Sequence, residues 1–264
     1  MLHVSLTISS HNLENRLVTW AIEPSNESYG NYEINLFRSE LYGSGLDFSS
    51  LVSGINLGTT LDYIDVTISG YHTHSYREFW YYGQVRNLTT GETRNTPQAT
   101  LETPMDYVAR TVLRDKNIGL REVYGGKEFL ILKRKTYGDS CSVCYDEYLQ
   151  RRSIDFCSGC YDTMISGGYY TPIQIRGMMN PSPKKSQMML WGDFKTDDSI
   201  FYTTSYPHIQ PKDIVIDKNN RRWQVIQVRT LEKGLYIIEQ DCQIRRVPFD
   251  DIIYTFPVNG YWSV

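Results

Sequence analysis

Two near-copies of one hexapeptide carry the clearest chemistry in this sequence: Cys141-Ser142-Val143-Cys144-Tyr145-Asp146 and Cys157-Ser158-Gly159-Cys160-Tyr161-Asp162. They differ only at Val143 against Gly159, and twelve residues separate Cys144 from Cys157. A two-residue spacer lets both thiolates of one turn point at a common centre. Two such turns supply four soft ligands in a tetrahedron, which Zn2+ accepts with no coordination position left open. A closed site makes the expected ion structural. It would order residues 146–155, a stretch too polar to build a core of its own. Gly159 is expected to relieve backbone strain in the second turn. A pair of disulfides or an iron–sulfur centre would draw on the same four residues. The lack of a secretion signal argues against the disulfides, and a redox dithiol would need only one such motif with a helix after it.

The other reactive residues are scattered. Cys242 stands alone in a strand-like segment and reads as a buried apolar filler. His72 and His74 would share one face of a strand, but no acidic or cysteine partner is near them in sequence, so they read as loop histidines. His3, His11 and His208 form no pattern, and Asp197-Asp198 and Asp250-Asp251 read as solvated turn residues. No glycine-rich phosphate loop, no Gly-x-Ser-x-Gly elbow and no His-Glu-x-x-His motif is present. The chain is therefore expected not to be an enzyme. Lys133-Arg134-Lys135 and Arg151-Arg152 flank the cysteines, with Tyr145, Tyr148, Phe156 and Tyr161 among them. Aromatic and basic residues together can stack bases and neutralise phosphates, yet Asp139, Asp146, Glu147, Asp155 and Asp162 cancel that charge. A nucleic-acid-binding zinc-ribbon protein stays open as an alternative.

The elements that must hold these residues fit into 264 residues, enough for one large domain or two to three small ones. Tyrosine is over-represented at 21 residues, which suits strand surfaces and wet protein contacts. The net charge of −3 is unevenly spread: residues 1–102 hold five Arg, no Lys and eleven acidic side chains, a net −6, and the remainder is a net +3. No apolar run approaches the ~20 residues needed to span a bilayer. Met1-Leu2-His3-Val4 lacks the basic start and apolar core of a signal peptide, so a reducing cytosolic birthplace is expected.

Residues 1–102 read as about seven short strands, the size and rhythm of an immunoglobulin-like sandwich. Residues 13–22 alternate, with Leu17, Thr19 and Ala21 on one face and Val18, Trp20 and Ile22 on the other; Pro24, Ser25, Asn26 and Gly30 break the strand. Tyr32, Ile34 and Leu36 alternate with Glu33, Asn35 and Phe37, and residues 63–68, 76–88 and 93–101 follow suit. The order of Trp20, the strand Tyr32-Glu33-Ile34-Asn35-Leu36-Phe37 and the late strand ending Val85-Arg86-Asn87 resembles a fibronectin type III domain. Phe79 falls near the position where that family keeps a corner tyrosine. The resemblance implies an adhesive or spacer module. A connecting helix is predicted over residues 103–119, with Thr103 as N-cap, Pro104 at the first helical position, Asp106 in the first turn and Gly119 as its end. It can serve as a stiff connector or pack on the next domain.

From residue 120 the expectation is a small β-barrel to residue 264, interrupted by the zinc ribbon at about 137–168. Ile173, Ile175 and Gly177 share a face, residues 180–185 with Pro181 and Pro183 form a loop, and strands are expected at 187–191 and 199–202. Pro211-Lys212-Asp213-Ile214-Val215, a Lys218-Asn219-Asn220 turn and Trp223-Gln224-Val225-Ile226-Gln227-Val228 follow, with Gln227 continuing the face of Trp223 and Val225. Residues 231–234 read as a turn before a strand at 235–240. This stretch resembles the small-barrel head-closure and adaptor proteins of tailed bacteriophages. Leu120-Arg121-Glu122-Val123-Tyr124-Gly125-Gly126-Lys127-Glu128, the cysteine pairs and Gly167-Gly168-Tyr169-Tyr170-Thr171-Pro172-Ile173 likewise resemble phage neck proteins with an inserted zinc ribbon. The resemblance covers about residues 120–256. It implies a ring-forming homo-oligomer in the virion neck, assembled in the host cytoplasm. Its partners would be the portal or adaptor and the tail-terminator or tail proteins, with the genome only passing through the ring. A tail or baseplate position fits the same features. The fold class expected is thus mainly β: sandwich, connecting helix, and barrel with an inserted four-cysteine zinc ribbon.

Overall fold

Alternating apolar residues make half-buried strands, and the chain uses that rule nearly throughout. The computed structural model describes residues 2–11, 15–23, 27–39, 48–68, 79–101, 107–123, 125–181, 198–233 and 236–262. Several sequence expectations lie outside these residues: the turn at Pro24, Ser25 and Asn26, the histidines His72 and His74, and the helix start at Thr103, Pro104 and Asp106. So do residues 182–185 of the loop expected at 180–185 and the strand at 187–191, whereas Asn180 and Pro181 are not loop but the end of a strand, paired with Ile200 and Ser199. The chain divides into two units, residues 1–106 with Thr136–Ser140, and residues 107–135 with 141–264.

The first unit is a sandwich. Its strands are β1 (Val4–Ser10), β2 (Arg16–Ile22), β3 (Tyr32–Ser39), β4 (Ser49–Asn56), β5 (Asp62–Asp65), β6 (Trp80–Asn87), β7 (Thr93–Asn95) and the short β8 (Ala99–Thr100). One sheet runs β1-β2-β5 and the other β4-β3-β6-β7, with β8 beside β6. The fourth strand thus joins the sheet of the third. Val18, Trp20 and Ile22 face the core with Tyr32, Ile34, Leu36, Tyr81 and Val85. The corner is closed by Tyr81, two residues after Phe79: its hydroxyl donates to Asp65 Oδ2 at 3.0 Å, and Arg38 Nη1 lies 2.7 Å from the same oxygen. Asp65 is fully buried, so these donors replace the water it has lost. Within this unit Ser28 Oγ donates to Asp139 Oδ2 at 2.7 Å and Tyr137 packs edge-on against Tyr29.

The second unit begins with helix α1 (Tyr107–Ile118), whose Ala109, Arg110 and Leu113 are buried. Gly119 does not end it; the chain continues through a wider helical turn, Gly119–Val123. Then come β9 (Lys127–Leu132), the tiny β10 (Tyr145–Asp146) and β11 (Arg151–Arg152), β12 (Ile173–Pro181), β13 (Asp198–Thr204), β14 (Ile214–Ile216), β15 (Arg222–Lys233) and β16 (Tyr236–Arg246). Six of these close a barrel in the order β12-β13-β16-β15-β14-β9, every neighbour antiparallel. Closure leaves no free sheet edge around the ring. Phe129, Ile131, Ile175, Phe201, Val215, Trp223, Val225, Cys242 and Ile244 fill the interior. Gly177 faces the ring of Phe201, where a Cβ would stand 2.4 Å from Cζ. On the outer side, Leu130, Leu132, Ile214 and Ile216 are covered by Val247, Ile253 and Val258 of the C-terminal segment. This two-sided burial explains the unbroken apolar runs of β9 and β14, where period-two alternation is missing.

Two local expectations change. Residues 231–233 are not a turn but the end of β15, which pairs Lys233 with Tyr236. A bulge between Val225 and Gln227 turns the side chains over, so Val228, not Gln227, packs toward the interior. No helix among the described residues is long and apolar enough to cross a membrane.

Candidate metal centre

The four-cysteine module leaves the barrel between two of its paired strands, β9 and β12. Its stem extends their ladder: Tyr170 N donates to Lys133 O at 2.9 Å and Lys135 N to Gly168 O at 3.0 Å. Each cysteine pair then folds as a tight turn, with Tyr145 N donating to Cys141 O at 3.0 Å and Tyr161 N to Cys157 O at 2.8 Å. The two turns are tied to each other and to the strands between. Cys141 N bonds Met164 O, and Ser153 reaches Cys144 O through both its N and its Oγ, at 2.8 and 3.0 Å. Asp162 Oδ1 accepts from Cys157 N at 2.9 Å, and its Oδ2 lies 3.0 Å from Arg152 Nη1.

This scaffold brings Cys141, Cys144, Cys157 and Cys160 together. All four are buried, and their sulfurs lie within 4.8 Å of one another. Two of the pairs run across the turns, Cys141 to Cys157 at 3.7 Å and Cys144 to Cys160 at 3.3 Å. A Zn–S bond of about 2.3 Å sets a tetrahedral S–S edge of about 3.8 Å, whereas a disulfide would require about 2.05 Å. The cluster is four free thiols spaced as ligands of one metal ion, and the spacing is compatible with zinc. No protein-family model matches the chain, and no curated protein matches its sequence.

The electrostatics ask for a cation. Burial pushes the Cys141 thiol up, but the N–H groups of Val143 and Cys144 and the thiols of Cys144 and Cys157 outweigh it, bringing it to about 7. Burial raises the Cys144 thiol strongly, with the neighbouring thiols adding to the rise, and burial raises Cys160 as well. Four sulfurs this close cannot all carry charge alone; a bound cation supplies the compensation that lets them ionise.

Gly159 does not play the role expected of it. It is outside the left-handed region, and a Cβ there would make ordinary contacts at 3.6 Å to Cys141 Sγ and Val143 Cγ2. The non-glycine residues of the module held at positive φ are Gln150 (47°), Phe156 (59°), Tyr161 (49°), Asp162 (62°) and Met164 (68°), and Gly167 and Gly168 follow at 73° and 66°. Tyr161 also plants the second turn on the barrel, its ring 5.1 Å from Phe256 and 6.4 Å from Tyr169.

The basic residues flanking the cysteines are largely committed. Lys133 is buried, its Nζ 2.5 Å from Asp213 Oδ2 and 2.7 Å from His208 O. The Arg134 guanidinium donates to Thr163 O at 3.5 Å while its backbone N donates to Asp213 Oδ1 at 2.9 Å, and Arg152 pairs with Asp155 and Asp162. Asp213 therefore stitches the root of the module to the loop before β14. Sequence reading missed this pair because the partners stand 80 positions apart. Its one signal was an acidic residue just before the apolar run of β14. Cys242 is a core side chain of β16, far up from the usual thiol range at about 12 because of its burial.

Proposed function

We propose that this chain is a structural subunit of a tailed-phage neck, assembling as a ring, in which the four cysteines hold one structural Zn2+. The carrying observation is the insertion of a closed four-thiol site between adjacent strands of a six-stranded antiparallel barrel. Four protein ligands leave no open position for substrate or water, which supports ordering and not catalysis. When bound, zinc would supply the positive charge that fixes both turns. Around it, Asp162 holds the Cys157 amide, Ser153 holds the Cys144 carbonyl and Tyr161 docks the turn on the barrel. The resemblance of residues 120–256 to neck proteins supports the position in the particle, and the sandwich reads as an appended module. Elemental analysis should find one zinc per chain. Light scattering should find a closed oligomer, and the chain should be present in purified particles. A monomer absent from particles would sink the proposal.

A second reading, nucleic-acid binding, is favoured by one feature. A cleft beside the module is lined by Arg134, Lys212 and Arg246 with Tyr161 and Tyr169. Asp162 and Asp251 line it too and offset that charge. Filter binding at two salt concentrations separates the readings, since phosphate contacts weaken steeply with salt.

A further inference from the structure

The cleft beside the four-cysteine module has a volume of about 390 Å³ and forms where three distant segments meet. The stem of the module brings Arg134, the loop before β14 brings Lys212, and the end of β16 brings Arg245 and Arg246. Asp162 and Asp251 also line it. Ion pairs decide which of these charges remain free to act. Arg245 is taken up by Asp198, at 3.1 Å. Asp162 has Arg152 at 3.0 Å, a cation that does not line the cleft. Asp213, next in sequence to Lys212, is bound to Lys133. Arg134, Lys212 and Arg246 are left without a carboxylate partner among the described residues. The Arg134 guanidinium reaches Thr163 O at 3.5 Å, and Arg246 stands over the Phe249 ring at 5.0 Å. Against these three cations stands one carboxylate, Asp251, with one oxygen already accepting from Ile253 N. The cleft therefore carries a surplus of two positive charges.

A second feature of the same cleft points to a ligand independently of that count. Tyr169 is about nine-tenths buried and lines the cleft, yet its hydroxyl bonds to no protein group. Burial holds this hydroxyl protonated, its pKa pushed up to about 12, so it stands as a donor. A buried hydroxyl is ordinarily satisfied by a partner. Two guanidinium groups, an ammonium and a phenol thus line one concave place, all of them able to donate. Gathered like charges repel one another, and a low-dielectric wall strengthens their pull on an anion.

We propose that this cleft is a phosphate-binding site. Arg134, Lys212 and Arg246 neutralise a phosphate-type dianion, and the Tyr169 hydroxyl donates to one of its oxygens. A dianion matches the surplus of two charges, where a carboxylate would leave one over. Its oxygens can accept from guanidinium forks and an ammonium together. The volume suits a phosphate group or a small phosphate ester and is too small for a folded partner. The bound anion would tie the stem of the module to the loop before β14 and to the end of β16. The site stands whether or not the chain forms a ring. Free phosphate and the phosphate of a nucleic-acid backbone offer it the same chemistry.

The test is isothermal titration of the full, metal-loaded chain with inorganic phosphate, at constant ionic strength and with chloride as the reference anion. Circular dichroism and elemental analysis check that fold and metal survive in each variant. One saturable site per chain is expected. Lys212→Asn and Arg246→Gln should each weaken binding about tenfold, and Tyr169→Phe about threefold. Asn is chosen at position 212 because the backbone there is left-handed, at φ 76°, which Asn tolerates. Phe at position 169 keeps the ring beside Phe256 and removes only the hydroxyl. Asp251→Asn can still accept from Ile253 N and should tighten binding, because the one opposing charge is gone. A chain that binds phosphate no better than chloride overturns the proposal. So does saturable binding that none of Lys212→Asn, Arg246→Gln and Asp251→Asn alters. A short single-stranded oligonucleotide supplies the second arm. If it displaces phosphate at far lower concentration and loses that ability at high salt, the site takes the phosphate of a nucleic-acid backbone. If it does not displace phosphate, the site takes free phosphate or a small ester.

Discussion

Gly168 has φ 66°, and a Cβ on it would lie 2.4 Å from Cys160 O, so both backbone and space forbid a side chain. Gly159 has neither constraint, and Val143 occupies the matching position of the first turn. The prediction is a contrast between neighbours. Gly168→Ala should destabilise the module by about 2 kcal/mol or more and weaken metal retention against a chelator, whereas Gly159→Ala should change either by little. Competition with a chromogenic chelator reads both. The ligands themselves give a sharper outcome. Cys141→Ser or Cys157→Ser should drop bound metal from one ion per chain to a weakly held fraction and make residues 141–168 sensitive to protease. Full metal content in either variant would remove that cysteine from the ligand set. These four residues were legible from spacing alone, because two-residue spacers have a local geometric meaning. The strain at Tyr161, Asp162 and Met164 was not, because no residue type there announces a positive φ.

The strands follow the same division between local and distant causes. Period-two alternation located β2 and β3 and separated their two faces, of which the structure buries Val18, Trp20 and Ile22 in one strand and Tyr32, Ile34 and Leu36 in the other. In β15 it failed after Val225, since one extra residue in a bulge reverses every face that follows. The turn expected at residues 231–234 missed the strand that runs through Lys233, for a related reason. The outer half of β15 is solvent-facing and has no apolar alternation to mark it as strand. Between elements, Lys133 and Asp213 join the stem of the module to the loop before β14, both nearly dry. The Asp213 carboxylate accepts from Lys133 Nζ, Arg134 N and Gln210 N, while its backbone carbonyl accepts from Val225 N. Through these bonds it orders the approach of the chain to β14. Asp213→Ala would strand the Lys133 ammonium in that environment, so the barrel should lose about 3 kcal/mol. Lys133→Met alone should cost a similar amount, and the two together should cost less than their sum. Urea denaturation of the three variants measures this; strict additivity would mean that the pair does not interact.

At the scale of the whole chain, the mainly β class was legible because turn signals and alternation recur in both units, although β9 and β14 lack the alternation. A small closed barrel was expected from the short strands and tight turns; which strands pair to close it was not, because the pairing of β13 with β16 and of β9 with β14 depends on contacts between distant segments. That closure has a consequence. β9 and β12 pair directly, Ile131 opposite Ile173 and Phe129 opposite Ile175, before the four-cysteine module departs. The barrel therefore owes its ladder to itself and only a docking contact to the module, chiefly the ring of Tyr161 on Tyr169 and Phe256. Replacing residues 136–167 by a short Asn-Gly turn between Lys135 and Gly168 joins two residues that already share a backbone hydrogen bond. The shortened chain should keep the strand signature of the barrel in circular dichroism and unfold cooperatively, with a loss on the order of 1–3 kcal/mol for the missing aromatic contacts. It should bind no zinc. An excised chain that fails to fold would make the module part of the barrel's core. One that folds and still assembles would put the ring contacts on the barrel and sandwich.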